Sequence, residues 1–276
     1  MKPLQSVRQR LLVYALLALF ILFAAGPFLV MVITTFKQDR DLYRPANNPF
    51  TYNFPPTMEN LDLLFNGTNY LTFIRNSAIV GVVVVIITLI IAVPAAYSLA
   101  RLTGRWGERA GIAIFLVYLI PPTLLFIPLF RVVVALGLND TIWALILVYP
   151  TISIPFSTWL LMGFFKSIPR DLEEAAMVDG YSRMSSFFRV VMPLSLSGVI
   201  AVVVFTFTLT LHEFVYALTF ISSSANRTIS VGVPIELVRG DVFYWQSLLA
   251  ASVIVAIPVG LVYNMFLDRL VAGFTM

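Results

Sequence analysis

The 276-residue chain contains no cysteine, a single histidine and only 12% charged residues. The absence of cysteine excludes disulfides, thiolate metal sites and a cysteine nucleophile. One histidine argues against imidazole metal centres and against relays built from several histidines. Charge far below the roughly 25% of an ordinary soluble domain leaves too little polar surface to solvate a globule of this length. The sequence also lacks G-x-x-x-x-G-K-[ST], G-x-S-x-G and H-E-x-x-H, so no phosphate-cradling loop or hydrolytic set is available. The expectation is a protein that is not itself an enzyme.

What is present is apolar: 59% of residues are hydrophobic and the mean hydropathy is +0.92. Continuous apolar stretches run at about 11–33, 75–98, 110–130, 142–165, 197–220 and 248–268. Each can cross a hydrocarbon core of about 30 Å as a helix. Lipid offers the backbone no hydrogen-bond partners, which excludes open strands, and barrel strands would instead appear as segments of about ten alternating residues. The reading is an all-α, polytopic membrane protein forming one domain over 1–276. The first stretch exceeds the 7–15 apolar residues of a signal peptide and is expected to remain as an anchor.

A net charge of +4 and a pI near 9.4 fit cationic loops held at one bilayer face better than nucleic-acid binding. With both termini inside, the interior segments hold Lys2, Arg8, Arg10, Arg101, Arg105, Arg109, Lys166, Arg170, Arg183, Arg189 and Arg269, eleven of the eighteen Lys and Arg. That bias predicts six spans with N-in, C-in topology. Exterior segments at about 34–74 and 221–247 are large enough for a cap or a docking surface.

The longest interior segment, residues 168–195, reads IPRDLEEAAMVDGYSRMSSFFRVVMPLS. Pro169 fits a first helical position, and Asp171, Glu173 and Glu174 complement the helix dipole in the opening turns. Gly180 suits a left-handed residue just past a helix end. Ser182 can cap a second short helix, in which Met184, Phe187, Phe188, Val191 and Met192 follow the spacing of one apolar face. Pro193 marks the turn into the fifth span. A hairpin lying on the membrane surface would favour basic residues and bulky apolar groups. Ala175, Ala176 and the acidic first helix favour a protein-docking element instead.

This segment resembles the EAA loop of ATP-binding-cassette importer permeases, E-A-A-x3-G-x9-I-x-L-P, with Glu174, Ala175, Ala176, Gly180 and Pro193 in register. Further resemblance to maltose-type, MalG-like sugar permeases lies in ITTFKQDRDL (33–42), RNSAIVG (75–81), AAYSLARL (95–102), IPPTLLFIPLF (120–130) and LHEFVYAL (211–218). The resemblance implies a type I importer transmembrane architecture in a bacterial plasma membrane. It implies partners too: a second, MalF-like permease, a dimer of MalK-like ATPase subunits carrying ATP and Mg, and an extracytoplasmic solute-binding protein. This chain would itself bind no cofactor. By the same resemblance Glu174 is a polar anchor for the ATPase, Ala175 and Ala176 a close-packing surface and Gly180 the bend, with Asp179, Arg183, Phe187 and Phe188 nearby.

A translocation path should lie among polar groups on the spans. Thr206, Thr210 and Glu213 recur at i, i+4, i+7, and Thr208 with His212 forms a second stripe. An ionisable residue at membrane depth faces protein or water rather than lipid, whereas a threonine hydroxyl can simply bond the preceding turn. Two functional readings stand at this point: an importer permease for a sugar or polyol, and a stand-alone secondary transporter or channel.

Overall fold

In a computed structural model of the chain, residues 7–274 are described, with side chains through Leu267. Lys2 and the side chain of Arg269, both part of the charge count above, lie outside the described residues. The helices are, in chain order, α1 (Val7–Thr35), α2 (Asp39–Leu42), α3 (Glu59–Asn66), α4 (Tyr70–Tyr97), α5 (Arg105–Tyr118), α6 (Pro122–Ala135), α7 (Ile142–Val148), α8 (Pro150–Ser167), α9 (Arg170–Val178), α10 (Arg183–Ser186), α11 (Met192–Leu194), α12 (Leu196–His212), α13 (Val215–Phe220), α14 (Ile229–Leu237) and α15 (Trp245–Phe274). π-helical turns follow α4 at Ser98–Leu102 and α10 at Phe187–Val191. A two-stranded hairpin pairs β1 (Val238–Arg239) with β2 (Val242–Phe243) antiparallel.

Among the described residues four helices are long and apolar enough to cross a bilayer, or six if two bent pairs each count as one span. The bends have local causes. Between α5 and α6, which meet at 87°, Pro121 is extended at φ −57°, ψ 127° and Pro122 starts the next helix. A residue before proline is driven out of the α region, so the tandem prolines split the expected 110–130 span. Pro94, Pro128, Pro155 and Pro258 stay inside their helices. The expected 197–220 span ends early as well: α12 stops at His212, Glu213 is extended at ψ 124°, and α13 begins afresh. The other bend, 73° between Arg183–Leu194 and α12, falls at Ser195, where Pro193 prepares the turn.

The chain divides into two compact units. One contains residues up to Tyr70 together with Val233–Val259, and the other contains Leu71–Gly232 and the stretch from Gly260. The first unit is organised by a buried ion pair. Lys37 Nζ lies 3.7 Å from Asp41 Oδ1, and both side chains are sealed from solvent. Lys37 also donates to the Asn48 carbonyl at 2.9 Å, and Asp41 accepts from the Asn53 side chain at 2.7 Å and its N–H at 3.1 Å. Burial opposes ionisation of Asp41, but the Asn53 bonds and the Lys37 charge outweigh it and hold the carboxyl below its usual range. Asn60 bonds the carbonyls of Thr35 and Lys37 at 2.9 Å. Tyr70 donates to the Ala251 carbonyl at 2.8 Å.

The second unit packs around two apolar clusters. One gathers Val80, Val84, Val133, Leu145, Tyr149, Tyr216 and Phe220. The other gathers Ala92, Ala96, Tyr97, Leu161, Phe165, Ile168, Phe187 and Val191. Small residues set its helix spacing: a Cβ on Gly198 would fall 2.5 Å from the Phe164 ring, and one on Gly111 would fall 2.5 Å from Met162 Sδ. Close approach of this kind drives helix association where lipid provides no hydrophobic force.

Asp41→Ala should destabilise the purified protein by roughly 3–5 kcal/mol, because it leaves Lys37 buried without its partner; thermal unfolding in detergent measures this. In the wild type, the depressed carboxyl adds stability that is present above the ordinary Asp value of about 3.9 and is lost as pH falls below it. The melting temperature of Asp41→Ala should therefore respond less to acid than that of the parent.

Candidate functional site

The segment after α8 folds as an elbow. Pro169 precedes α9 as its capping residue rather than opening it, a shift of one position. At the far end, the Gly180 N–H donates to the Met177 carbonyl and the Tyr181 N–H to the Ala176 carbonyl, both at 3.1 Å. These two bonds form a Schellman closure, and Gly180 takes φ +91°, a conformation L-residues rarely hold. Ser182 then caps α10 by accepting from the Ser185 N–H at 3.3 Å.

The expected apolar face of the second helix is divided. The turn at Phe187–Val191 is π-helical, which widens the helix and rotates the stripe. Phe187 and Val191 turn inward and are buried. The Phe187 ring sits 4.4 Å from Tyr97 and 6.0 Å from Phe165. Phe188 and Met184 turn outward and are 61% and 66% exposed. The alanine pair separates likewise, with Ala176 buried against its own subunit and Ala175 on the surface. Glu174, Asp179, Gly180, Arg183 and Pro193 are all exposed. The outer face therefore presents Leu172, Val178, Tyr181, Met184 and Phe188 to solvent, with Arg189 stacked 5.0 Å over the Tyr181 ring.

The inner face is fixed by a residue that the sequence pattern does not single out. Glu173 is 6% exposed. Its carboxylate accepts a short hydrogen bond from the Tyr97 hydroxyl and lies 3.5 Å from Arg101 Nε. Arg101 donates from Nη2 to the Ile168 carbonyl at 2.7 Å, and Ser186 Oγ donates to the Glu173 carbonyl at 3.3 Å. Read linearly, Glu173 is one more acid complementing a helix dipole. The usable signal lies where α4 passes into its π turn, with Tyr97 and Arg101 at i, i+4 and no acid beside them in sequence. Arg101, Arg170, Glu173, Glu174, Met177 and Arg183 line a small polar recess beside the elbow.

The polar residues of α12 are disposed differently from the expected stripe. Thr206 and Thr210 are buried within the subunit, and Thr210 Oγ1 bonds the Phe207 carbonyl at 2.7 Å. Thr208 pairs with the Tyr263 hydroxyl at 2.6 Å. His212 is exposed. Glu213 lies beyond the helix and is not part of its stripe. Its carboxylate accepts from the Tyr216 N–H at 2.9 Å and the Ala217 N–H at 3.1 Å, starting α13, and from the Tyr149 hydroxyl at 3.0 Å. The Ser230 hydroxyl donates to its carbonyl at 2.7 Å. Tyr216 in turn donates to the Pro122 carbonyl at 2.8 Å. Among the described residues there is no group of three or more His, Asp or Glu that could hold a metal ion.

Comparison with known proteins gives a consistent result. The family described as "Binding-protein-dependent transport system inner membrane component" matches residues 89–275. The inner membrane ABC transporter permease protein YcjP of Escherichia coli is 33% identical, over 95% of this chain and 93% of that protein. The sulfoquinovosyl glycerol transport system permease protein SmoH of Agrobacterium fabrum is 37% identical, over 90% and 86%. The trehalose/maltose transport system permease protein MalG of Thermococcus litoralis is 29% identical, over 98% and 97%. Among solved structures, a chain of a bacterial ABC transporter involved in import of the acidic polysaccharide alginate shares the fold with a TM-score of 0.79 at 19% identity, covering 97% of this chain and 99% of that one.

Glu213→Ala should lower stability by about 1–3 kcal/mol, since it removes the cap of α13 and leaves the buried Tyr149 hydroxyl unpaired. Thermal unfolding in detergent checks this. A glutamate serving only as a solute ligand would leave the melting temperature where it was.

Proposed function

As the chain belongs to the family of binding-protein-dependent transport system inner membrane components, we propose that it is one of two permease subunits of an importer for a sugar or related polyol. It spans the membrane several times and catalyses no hydrolysis itself; ATP and Mg are used on a dimer of cassette ATPases bound at its inner face. A second permease and an extracytoplasmic solute-binding protein complete the assembly. The carbohydrate class rests on relatives named for sulfoquinovosyl glycerol and for trehalose/maltose.

One observation carries the mechanism: the elbow of α9, Gly180 and α10 is pinned on one face and apolar on the other. Val178, Met184 and Phe188 leave an unpartnered apolar surface of the kind that marks a docking site. The ATPase covers that face, with Glu174 as its polar anchor, Ala175 allowing close approach, and Asp179 and Arg183 at the rim. Pro193 passes the movement into α12. The α5–α6 pair and α12 each count as a span in this reading, giving six with both termini inside, and the elbow then faces the cytoplasm with Arg101, Arg105 and Arg109. ATP-driven approach of the two cassettes moves the elbow, and the attached spans switch between outward and inward access. On α12, His212 is the exposed member of the polar set and the residue best placed to meet solute at a subunit boundary.

A cassette ATPase should co-purify with the chain in mild detergent. Gly180→Pro should abolish sugar uptake while the protein still inserts, because proline cannot adopt φ +91°. Normal assembly and normal uptake in that variant would remove the lever from this reading.

A further inference from the structure

The elbow is covalently continuous with α8 and α12, yet its buried ion pair is to a third element. The buried Glu173 carboxylate bonds the Tyr97 hydroxyl at the end of α4 and pairs with the Arg101 guanidinium in the π turn that continues it. Arg101 also holds the carbonyl of Ile168, the residue joining α8 to α9. Phe187, from the other arm of the elbow, packs on the Tyr97 ring at 4.4 Å, and Ser186 bonds the Glu173 backbone. Both arms and the α8 junction therefore converge on two residues one turn apart. The turn that carries Arg101 is π-helical, a form that recurs at functional positions in helices.

We propose that Glu173, Tyr97 and Arg101 form a latch through which the elbow drives α4 directly, so that movement of the docking element enters the membrane through α4 as well as through α8 and α12. The three are positioning residues and touch neither nucleotide nor solute. A buried, charge-assisted contact suits this role because it is directional. Apolar packing alone would let the elbow slide across α4. The inference rests on the elbow being the ATPase contact, but it adds a claim that can fail separately.

The absence of cysteine makes the test direct. Asp171→Cys, on the exposed side of α9, and Leu102→Cys, on the exposed side of the π turn, receive spin labels in the assembled, membrane-reconstituted transporter. Their separation is measured without nucleotide and after trapping with ATP and vanadate. The parent should give one narrow distance that does not change on trapping, because elbow and α4 move as a body. Glu173→Gln should give the same distance without nucleotide and a shifted, broadened one after trapping, with the ATPase still bound. Tyr97→Phe removes only a hydroxyl and gives the same readout where Glu173→Gln fails to assemble. Retention of the parent distance after trapping in the assembled variants overturns the latch. Failure of the parent to bind a cassette ATPase overturns the lever beneath it instead.

Discussion

An amide or carbonyl without a partner costs several kcal/mol in hydrocarbon, so a chain that interrupts its membrane helices must close each gap with side chains. The larger unit does this with few residues. Tyr216 reaches the Pro122 carbonyl just after the α5–α6 bend. Glu213 collects the N–H groups that open α13. Tyr149, at the seam of α7 and α8, donates to the same glutamate. Three irregularities in separate helices thus share groups with one another. None can change geometry without disturbing an acceptor at the next, which converts potential weak points into a single node.

The elbow applies the same economy to charge. A buried carboxylate is tolerated only where opposite charge and hydrogen bonds replace the water it has lost, and Glu173 finds both on α4. Its neighbour Glu174 borders the same recess but is exposed and stays hydrated. Adjacent acids in one motif are therefore placed differently, one fastening the element to its own subunit and the other left at the surface. Ala175 and Ala176 repeat the division, as do Phe188 and Phe187. Glu173 and Ala176, three residues apart, share the buried face of α9, and Glu174 and Ala175 share the exposed one, as the 3.6-residue period requires.

Much of this was legible before any coordinates. Long apolar runs require helices in lipid, Gly180 and Ser182 locate a bend between two short helices, and Pro193 foretells the turn into α12; all depend on neighbours in sequence. What escaped depends on partners far away. Nothing local announces that Glu213 prefers the N–H groups of the following residues to the continued helix, so Thr206, Thr210 and Glu213 looked like one stripe. The π turn at Phe187–Val191 changes helical phase, and a fixed period of 3.6 cannot anticipate that. Glu173 was the largest omission, because its partners Tyr97 and Arg101 lie 76 and 72 positions earlier in the chain. Pro121 and Pro122 mark an interruption of the third span on local grounds alone, which hydropathy does not register because it scores composition and ignores dihedral angles.

These uses of polar groups bear on where a solute can pass. Thr206, Thr210 and Thr208 are buried or paired inside the subunit, and Glu213 is occupied in holding helix ends. Releasing Thr208 or Glu213 to a solute would leave the Tyr263 or Tyr149 hydroxyl without its partner, whereas the Thr206 hydroxyl is buried with no hydrogen-bond partner among the described residues. Thr208 and Glu213 thus serve the subunit's own architecture. On the proposed reading, the solute route then runs along the outer surface of the helices, where His212 is exposed, and a second permease supplies the opposite wall. Such a route opens and closes by movement between subunits, and a latch that makes α4 follow the elbow would move one wall of it without unpacking the core.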